Sequence, residues 1–462
     1  MIFPLHEHKA KYIQIYEHII NLIESKKLTA NDKLPSIRTL AEHLQVSRNT
    51  TLQAYETLIA EGFIRSENKV GYFVNEIDSM FVHPNSTKPK QAVPIQQDAT
   101  NLIDFRVGAV DQHTFPHHKW RQISNSILER NESFAYGKMF GEPILQHELA
   151  HYLLQARGIS TEPQQIIIGS STQQLLLQLS MLLKEDFSSV LLENPGYNGA
   201  REVFELLNFQ IETITVNQAG LAMEELQKQK SALFYVTPSH QYPFGTALSI
   251  QQRWQFIQSV EQRNGYILED DYDGEYRYGQ KTFPALASLA PARIIYFGTF
   301  SKSFLPGIRL AYMILPPSLL NMYQTKFANF ENSASLLHQL AMAEFMRCGE
   351  WQRHIKRMRN TYHKKMNFFL ETLQQHFSDK VQFVGTKAGL YILLSIECAD
   401  SEEELIALAL EEKVKVYPCS HLYIGTVPTD PKILIGFANL TFQQIEQGIL
   451  RLKKAWRLLA KE

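Results

Sequence analysis

The stretch "GTFSKSFLPGIR", Gly298 to Arg309, decides the fold of the larger part of this chain. It follows the apolar run "RIIYF" and sets Lys302 between two serines, ahead of a Pro-Gly turn and Arg309. A lysine just past a buried strand sits where desolvation lowers its pKa and leaves a nucleophilic amine. Thr299 and Ser301 offer hydroxyls to an oxyanion, and Arg309 offers a planar guanidinium. Taken alone, the same lysine is equally a solvated loop residue.

Four further motifs precede it, each at the end of a predicted strand, where open α/β sheets gather their ligands. "IIIGSSTQQLLLQL" leads from a strand through Ser170, Ser171 and Thr172 into a helix beginning near Gln173, so hydroxyls and free N–H groups face an anion. Ordinary capping accounts for any one of these residues. "LLENPGYNGAR" presents Tyr197 after a Pro-Gly turn. "YVTPSHQYPFG" adds His240, Gln241 and Tyr242, as ligand contacts or as satisfied loop polars. "YILEDDYDGEYRY" ends a strand on Asp270 with Tyr272 two residues on; its acids Glu269, Asp270, Asp271 and Asp273 suit a cation as well as a cofactor.

Together the five motifs supply what pyridoxal 5'-phosphate requires. Lys302 gives the amine for an imine, and Asp270 the anion for the ring nitrogen. Tyr272 or Tyr242 reaches the ring hydroxyl, and Tyr197 covers the ring. Ser171, Thr172, Gln173, Thr299, Ser301 and Arg309 form the phosphate cradle. No metal is assigned.

The 462 residues, 44% hydrophobic and 20% charged, suit a globular protein of two or three domains. A net charge of -1 excludes a chain that binds polyanions through bulk charge, so any such surface is local. Cys348, Cys398 and Cys419 are widely spaced, which fits a reducing compartment. Neither a signal-peptide pattern nor an apolar run of spanning length occurs, and the expectation is a soluble, cytoplasmic protein without membrane contact. Patterning divides the chain into a first domain over 1–75, a Pro-, Ser- and Gln-rich linker over 76–100, and an α/β domain with a mainly parallel sheet over 101–462.

In the first domain, Ile15, Ile19, Leu22 and Ile23 share one helical face. Ile37, Leu40, Ala41 and Leu44 mark a second helix, and Ser47 caps a third that runs through Leu52, Tyr55 and Leu58 to Gly62. The third helix presents Arg48, Asn49 and Thr50 at its first turn, and "GFIRSENKVGYFVNE" follows as two strands with Lys69 near the turn. "KLPSIRTLAEHLQVSRNTTLQAYETLIAEGFI" with "GYFV" resembles the winged helix-turn-helix domain of GntR-type repressors. That resemblance implies operator contacts from Arg38, Ser47, Arg48, Asn49 and Thr50, with Lys69 and Gly71 in the wing. Glu42, Glu56, Glu61 and Glu67 offset its cations, so the expected partner is a double-stranded operator with paired half-sites, gripped by a dimer.

From Asn101 onward, the order of the five motifs resembles the fold-type I aminotransferases. Their wording is most similar to the MocR/GabR subfamily, in which a GntR-type domain is fused to an aminotransferase-like domain. The resemblance implies a transcriptional regulator that senses pyridoxal 5'-phosphate, alone or with an amine or amino-acid effector. It also implies a head-to-tail, domain-swapped homodimer, with Tyr136 in "FAYGKMFGEP" reaching the phosphate from the partner subunit. An active aminotransferase with an accessory DNA-binding domain is the competing reading. Leu434 in "PKILIGFANLT" stands where the enzymes carry the arginine that grips a substrate carboxylate, and Lys432 is a weaker point charge.

Overall fold

The computed structural model describes residues 3, 9–67, 70–76, 101–278, 283–398 and 400–457. The chain divides into two compact units, one ending at Thr100 and the other beginning at Asn101.

The first unit is built on three helices. Helix α1 (Lys11–Glu24) buries Ile15, Ile19 and Ile23, one residue per turn on one face. In α2 (Ile37–Leu44), Ser36 Oγ accepts from the Thr39 N–H at 3.1 Å, and Gln45 ends the helix in the left-handed region at φ 52°. That single left-handed residue makes the tight turn. Ser47 then caps α3 (Arg48–Ala60), accepting from the Thr50 N–H at 3.1 Å. Leu52, expected on the inner stripe, is 37% exposed; Thr51 points inward instead and is fully buried. Strands β1 (Lys33–Leu34), β2 (Ile64–Glu67) and β3 (Gly71–Val74) form an antiparallel sheet in the order β1-β3-β2. The β1 strand was invisible in sequence because two residues carry no alternation. Lys69 lies outside the described residues.

The second unit carries an eight-stranded sheet. Its strands Gln210–Asn217, Ser189–Asn194, Leu233–Val236, Tyr266–Asp271 and Ile294–Thr299 run parallel in that order. Ala311–Ile314 is antiparallel and joins Ile294–Thr299 to Ile166–Gly169 at one edge. Side chains alternate between two cores: Ile166, Ile168, Ile267 and Ile294 enter one, while Ile167, Leu268, Ile295 and Phe297 enter the other. Such apolar runs on both faces belong to a sheet covered by helices on each side. A four-stranded antiparallel sheet that includes Tyr391–Ile396 and Lys432–Gly436 packs on the long helix Glu350–His376. Among the described residues, no helix is long and apolar enough to cross a membrane.

Leu40 is fully buried between the helices of the first unit. Leu40→Ala is expected to cost about 2–5 kcal/mol. Chemical denaturation of the full chain measures this, and an unshifted unfolding transition would contradict the packing.

Candidate functional site: a cavity at the strand ends

Strand parity sorts the acidic motif. On Tyr266–Asp271, Glu269 and Asp271 point to one face and Asp270 to the other. Glu269 accepts the N–H groups of Leu286 and Ala287 at 2.9 Å each and lies 3.8 Å from Arg253. Asp271 pairs with buried Arg157 at 2.5 Å and accepts from Tyr296 Oη at 2.7 Å. Both acids are therefore engaged with the scaffold. Among the described residues, no group of His, Cys, Asp and Glu is arranged for a metal.

Of the three acids on the strand, Asp270 faces a cavity of about 380 Å³. The cavity also collects Lys302, Ser171, Thr172, Gln173, Tyr197, Tyr242, Tyr272, Thr299, Ser301 and Arg309. Every sequence-derived cofactor residue except Tyr136 is thus in one place. Tyr136 is 96% exposed and is not among the lining residues.

Asp270 is 5% exposed, and burial pushes its carboxyl up to about 7, against a hydrogen bond from Tyr235 and the nearby Lys302 amine, which lower it. Its Oδ2 takes the Tyr235 hydroxyl, whereas Oδ1 has no hydrogen-bond partner among the described residues. An unpartnered buried carboxylate oxygen aimed into a cavity is costly unless a donor completes it. Burial also lowers the Lys302 amine, while Asp273 and Asp270 raise it. Lys302 Nζ donates to the Gly108 carbonyl at 3.1 Å. Gly108 sits at φ +77°, which favours glycine, and a Cβ there would come within 2.1 Å of Nζ, so the end of the lysine would have to move.

The anion side is assembled from backbone. Ser171 caps the helix Thr172–Leu183, its Oγ accepting from the Gln174 N–H at 3.1 Å. Its hydroxyl proton and the free N–H groups of the first turn remain to be donated. Thr299 Oγ1 accepts from the Ser301 N–H at 3.1 Å. Arg309, in the left-handed region at φ 52°, forms no ion pair among the described residues.

The loops are fixed from behind. Buried Glu193, pushed up to about 7 by desolvation, accepts from the Thr237 N–H at 3.0 Å and from Gln241 Nε2 at 3.3 Å. Gln241 also reaches the Pro195 carbonyl at 3.0 Å, which ties "TPSHQYPFG" to "ENPGY". Of His240, Gln241 and Tyr242, only Tyr242 lines the cavity. Tyr272 Oη donates to the His240 carbonyl at 2.9 Å. Sequence reasoning missed Gly108, Thr237, Leu390 and Tyr391 in the lining and Tyr235 beside Asp270, and it offered Asp273 only as a member of the acidic cluster; for the missed residues the glycine in "RVGAVD" was the one local signal.

In the first unit, Arg48 and Asn49 are exposed at the start of α3. Ser47 and Thr50 hold each other, Oγ to Oγ1 at 2.8 Å, as the cap. Arg38 pairs with Glu42 at 3.0 Å, and Arg65 with Glu67 at 3.2 Å. Those acids are occupied locally, and Arg48 has no ion pair among the described residues. Gly71 opens β3 at φ +140°.

Residues 100–452 match the family described as "Aminotransferase class I and II", and residues 11–74 match "Bacterial regulatory proteins, gntR family". The chain is 38% identical over 462 residues to the Bacillus subtilis HTH-type transcriptional regulator YhdI, covering 98% of each. It is 28% identical over 440 residues to the Corynebacterium glutamicum HTH-type pyridoxine biosynthesis transcriptional regulator PdxR, covering 94% of this chain and 93% of that one. Among solved structures, the Thermus thermophilus alpha-aminoadipate aminotransferase LysN, complexed with N-(5'-phosphopyridoxyl)-L-leucine, superposes with a TM-score of 0.71 at 25% identity. The likeness covers 79% of this chain and 95% of that one.

Arg157→Met strands the buried Asp271 charge and is expected to cost about 3–5 kcal/mol in chemical denaturation. A stability within error of the unsubstituted chain would place Asp271 outside the scaffold.

Proposed function

This chain belongs to the HTH-type transcriptional regulators of the MocR/GabR type, a GntR-family domain joined to a class I and II aminotransferase domain, and we propose that it senses pyridoxal 5'-phosphate at Lys302. The observation that carries the reading is the pair formed by Lys302 and Asp270, with Asp270 Oδ1 left unpartnered beside the buried amine. When bound, pyridoxal phosphate supplies an aldehyde that condenses with an amine and a ring that draws electrons from it.

The residues fit that group. Burial lowers the pKa of the Lys302 amine, which favours its nucleophilic form. Asp270 Oδ1 would accept from the protonated ring nitrogen, and Tyr197 would cover the ring. Ser171, Thr172, Gln173, Thr299, Ser301 and Arg309 would hold the phosphate. Tyr242 and Tyr272 would serve the ring oxygen. In the first unit Arg38, Ser47, Arg48, Asn49 and Thr50 would contact the operator around the start of α3, with Lys69 and Gly71 in the wing.

Two copies are needed to grip paired half-sites. The 86% exposure of Phe134 and 96% exposure of Tyr136 support a head-to-tail homodimer in which a second subunit covers this segment. We further propose a cytoplasmic location, a linker over 76–100, and control of vitamin B6 synthesis or amine metabolism. The name of the pyridoxine biosynthesis relative supports the former.

The cavity's second reading is an active aminotransferase. Against it, Leu434 is 1% exposed in the core on Lys432–Gly436, while Lys432 Nζ turns to the Asp430 carbonyl at 3.1 Å. Neither provides the fork that selects a carboxylate. Steady-state transamination with a panel of amino donors is expected to show no turnover near ordinary enzyme rates of about 1–1000 per second; rates in that range would overturn the regulator-only reading.

The purified chain mixed with pyridoxal phosphate is expected to develop a visible absorption band that Lys302→Ala abolishes. Asp270→Asn replaces a charged hydrogen bond and is expected to weaken cofactor affinity about 10- to 100-fold. Because burial holds Asp270 at about 7, its ionised form is lost as pH falls through that value. Apparent affinity should therefore decline below about pH 7, and decline less in Asp270→Asn. An absorption band retained by Lys302→Ala would reject the site.

A further inference from the structure

With the groups above assigned to pyridoxal phosphate, the cavity still holds a carboxylate that this reading leaves unused. Asp273 is 3% exposed and lines the cavity beside Lys302, on whose amine it exerts the largest charge effect. Its Oδ1 and Oδ2 lie 3.0 and 2.8 Å from His240 Nδ1. One imidazole N–H leaves most of the acceptor capacity of a carboxylate unfilled. The pair is locked from behind by Gly389, at φ +76°, where a Cβ would come within 2.1 Å of the His240 ring and 2.9 Å of Asp273 Oδ2.

Tyr242, Tyr272 and Tyr391 line the same cavity as this carboxylate, whose charge reaches Tyr272 and Tyr391. The rings of Tyr242 and Tyr391 lie 5.5 Å apart at 71°, and those of Tyr242 and Tyr272 lie 6.3 Å apart at 88°. Burial raises all three phenols, which keeps them neutral. Among the described residues that line the cavity, the lysine and the arginine are Lys302 and Arg309, both already assigned. This wall is therefore negative and aromatic, the combination that holds a cation and repels a carboxylate.

We infer that the second ligand of this cavity is a short alkyl amine whose far end is cationic and carries no carboxylate, that end being seated between Asp273 and the faces of Tyr242 and Tyr391. The inference rests on the reading of pyridoxal phosphate at Lys302 and names the effector class of that site. Asp273 is a specificity-determining residue here: it chooses the far end of the ligand. An α-amino acid has to bring its carboxylate against the same wall, with Leu434 buried in the core and offering no counter-charge.

Three ligands of equal chain length separate the possibilities: 1,4-diaminobutane, butylamine and 4-aminobutanoate, which differ only at the far end. Calorimetric titration of the full-length, cofactor-loaded chain is expected to give diaminobutane an affinity at least about 10-fold above that of 4-aminobutanoate, with butylamine between them. Asp273→Asn should bring the three affinities together, and Asp273→Glu should restore the order. If Asp273→Asn does not fold, Tyr391→Leu serves instead and should weaken diaminobutane more than butylamine. Binding of 4-aminobutanoate as tight as that of diaminobutane, no binding by any of the three, or an order unchanged by both substitutions would overturn the inference. A cofactor-loaded chain without the visible absorption band fails earlier, and that failure belongs to the pyridoxal phosphate reading.

Discussion

A buried carboxylate facing a buried amine, each short of partners, is the constraint on which the larger unit is organised. Desolvation pushes Asp270 up to about 7 and drives Lys302 down, while their mutual attraction works against both shifts. Asp270 keeps one oxygen unpartnered, and Lys302 has a backbone carbonyl as its acceptor. Groups held in this condition mark a place where a ligand completes the set.

The scaffold makes that condition tolerable. Period-two alternation gives Glu269 and Asp271 to the opposite face, where Arg253 and Arg157 neutralise them, so a single acid of the three enters the cavity. Glu193 and Gln241 tie two neighbouring loops together, and Gly108 lets the chain pass within hydrogen-bonding distance of Lys302. The segment carrying Gly108 also holds Asp111, whose buried ion pair with Lys365 at 2.9 Å fixes it to the long helix Glu350–His376. Coupling between ligand and DNA requires two arrangements of the chain with different affinities for each.

Much of this was legible in the sequence, and the reasons differ by element. Strand-end motifs were readable because apolar runs stop abruptly at polar residues, so Ser171, Tyr197, Asp270 and Lys302 announced themselves. The α3 helix was readable from its cap at Ser47, although Leu52 and Thr51 exchanged inner and outer places because a short polar β-branched residue fits the helix contact. Partners supplied by distant strands were not readable. Tyr235 reaches Asp270 from a neighbouring strand and Tyr391 reaches the cavity from a distant sheet, and no local pattern distinguishes them from ordinary buried tyrosines. Strand parity could have separated Asp270 from its neighbours, had the strand's register been known.

We propose that occupancy of Lys302 alters the grip of the winged helices on DNA. Genomic fragments selected by the full-length chain, footprinted across a titration of pyridoxal phosphate, test it most directly. The account predicts a footprint whose extent or affinity changes with the cofactor in the unsubstituted chain and stays fixed in Lys302→Ala. A footprint indifferent to pyridoxal phosphate, or one that changes equally in Lys302→Ala, would contradict it.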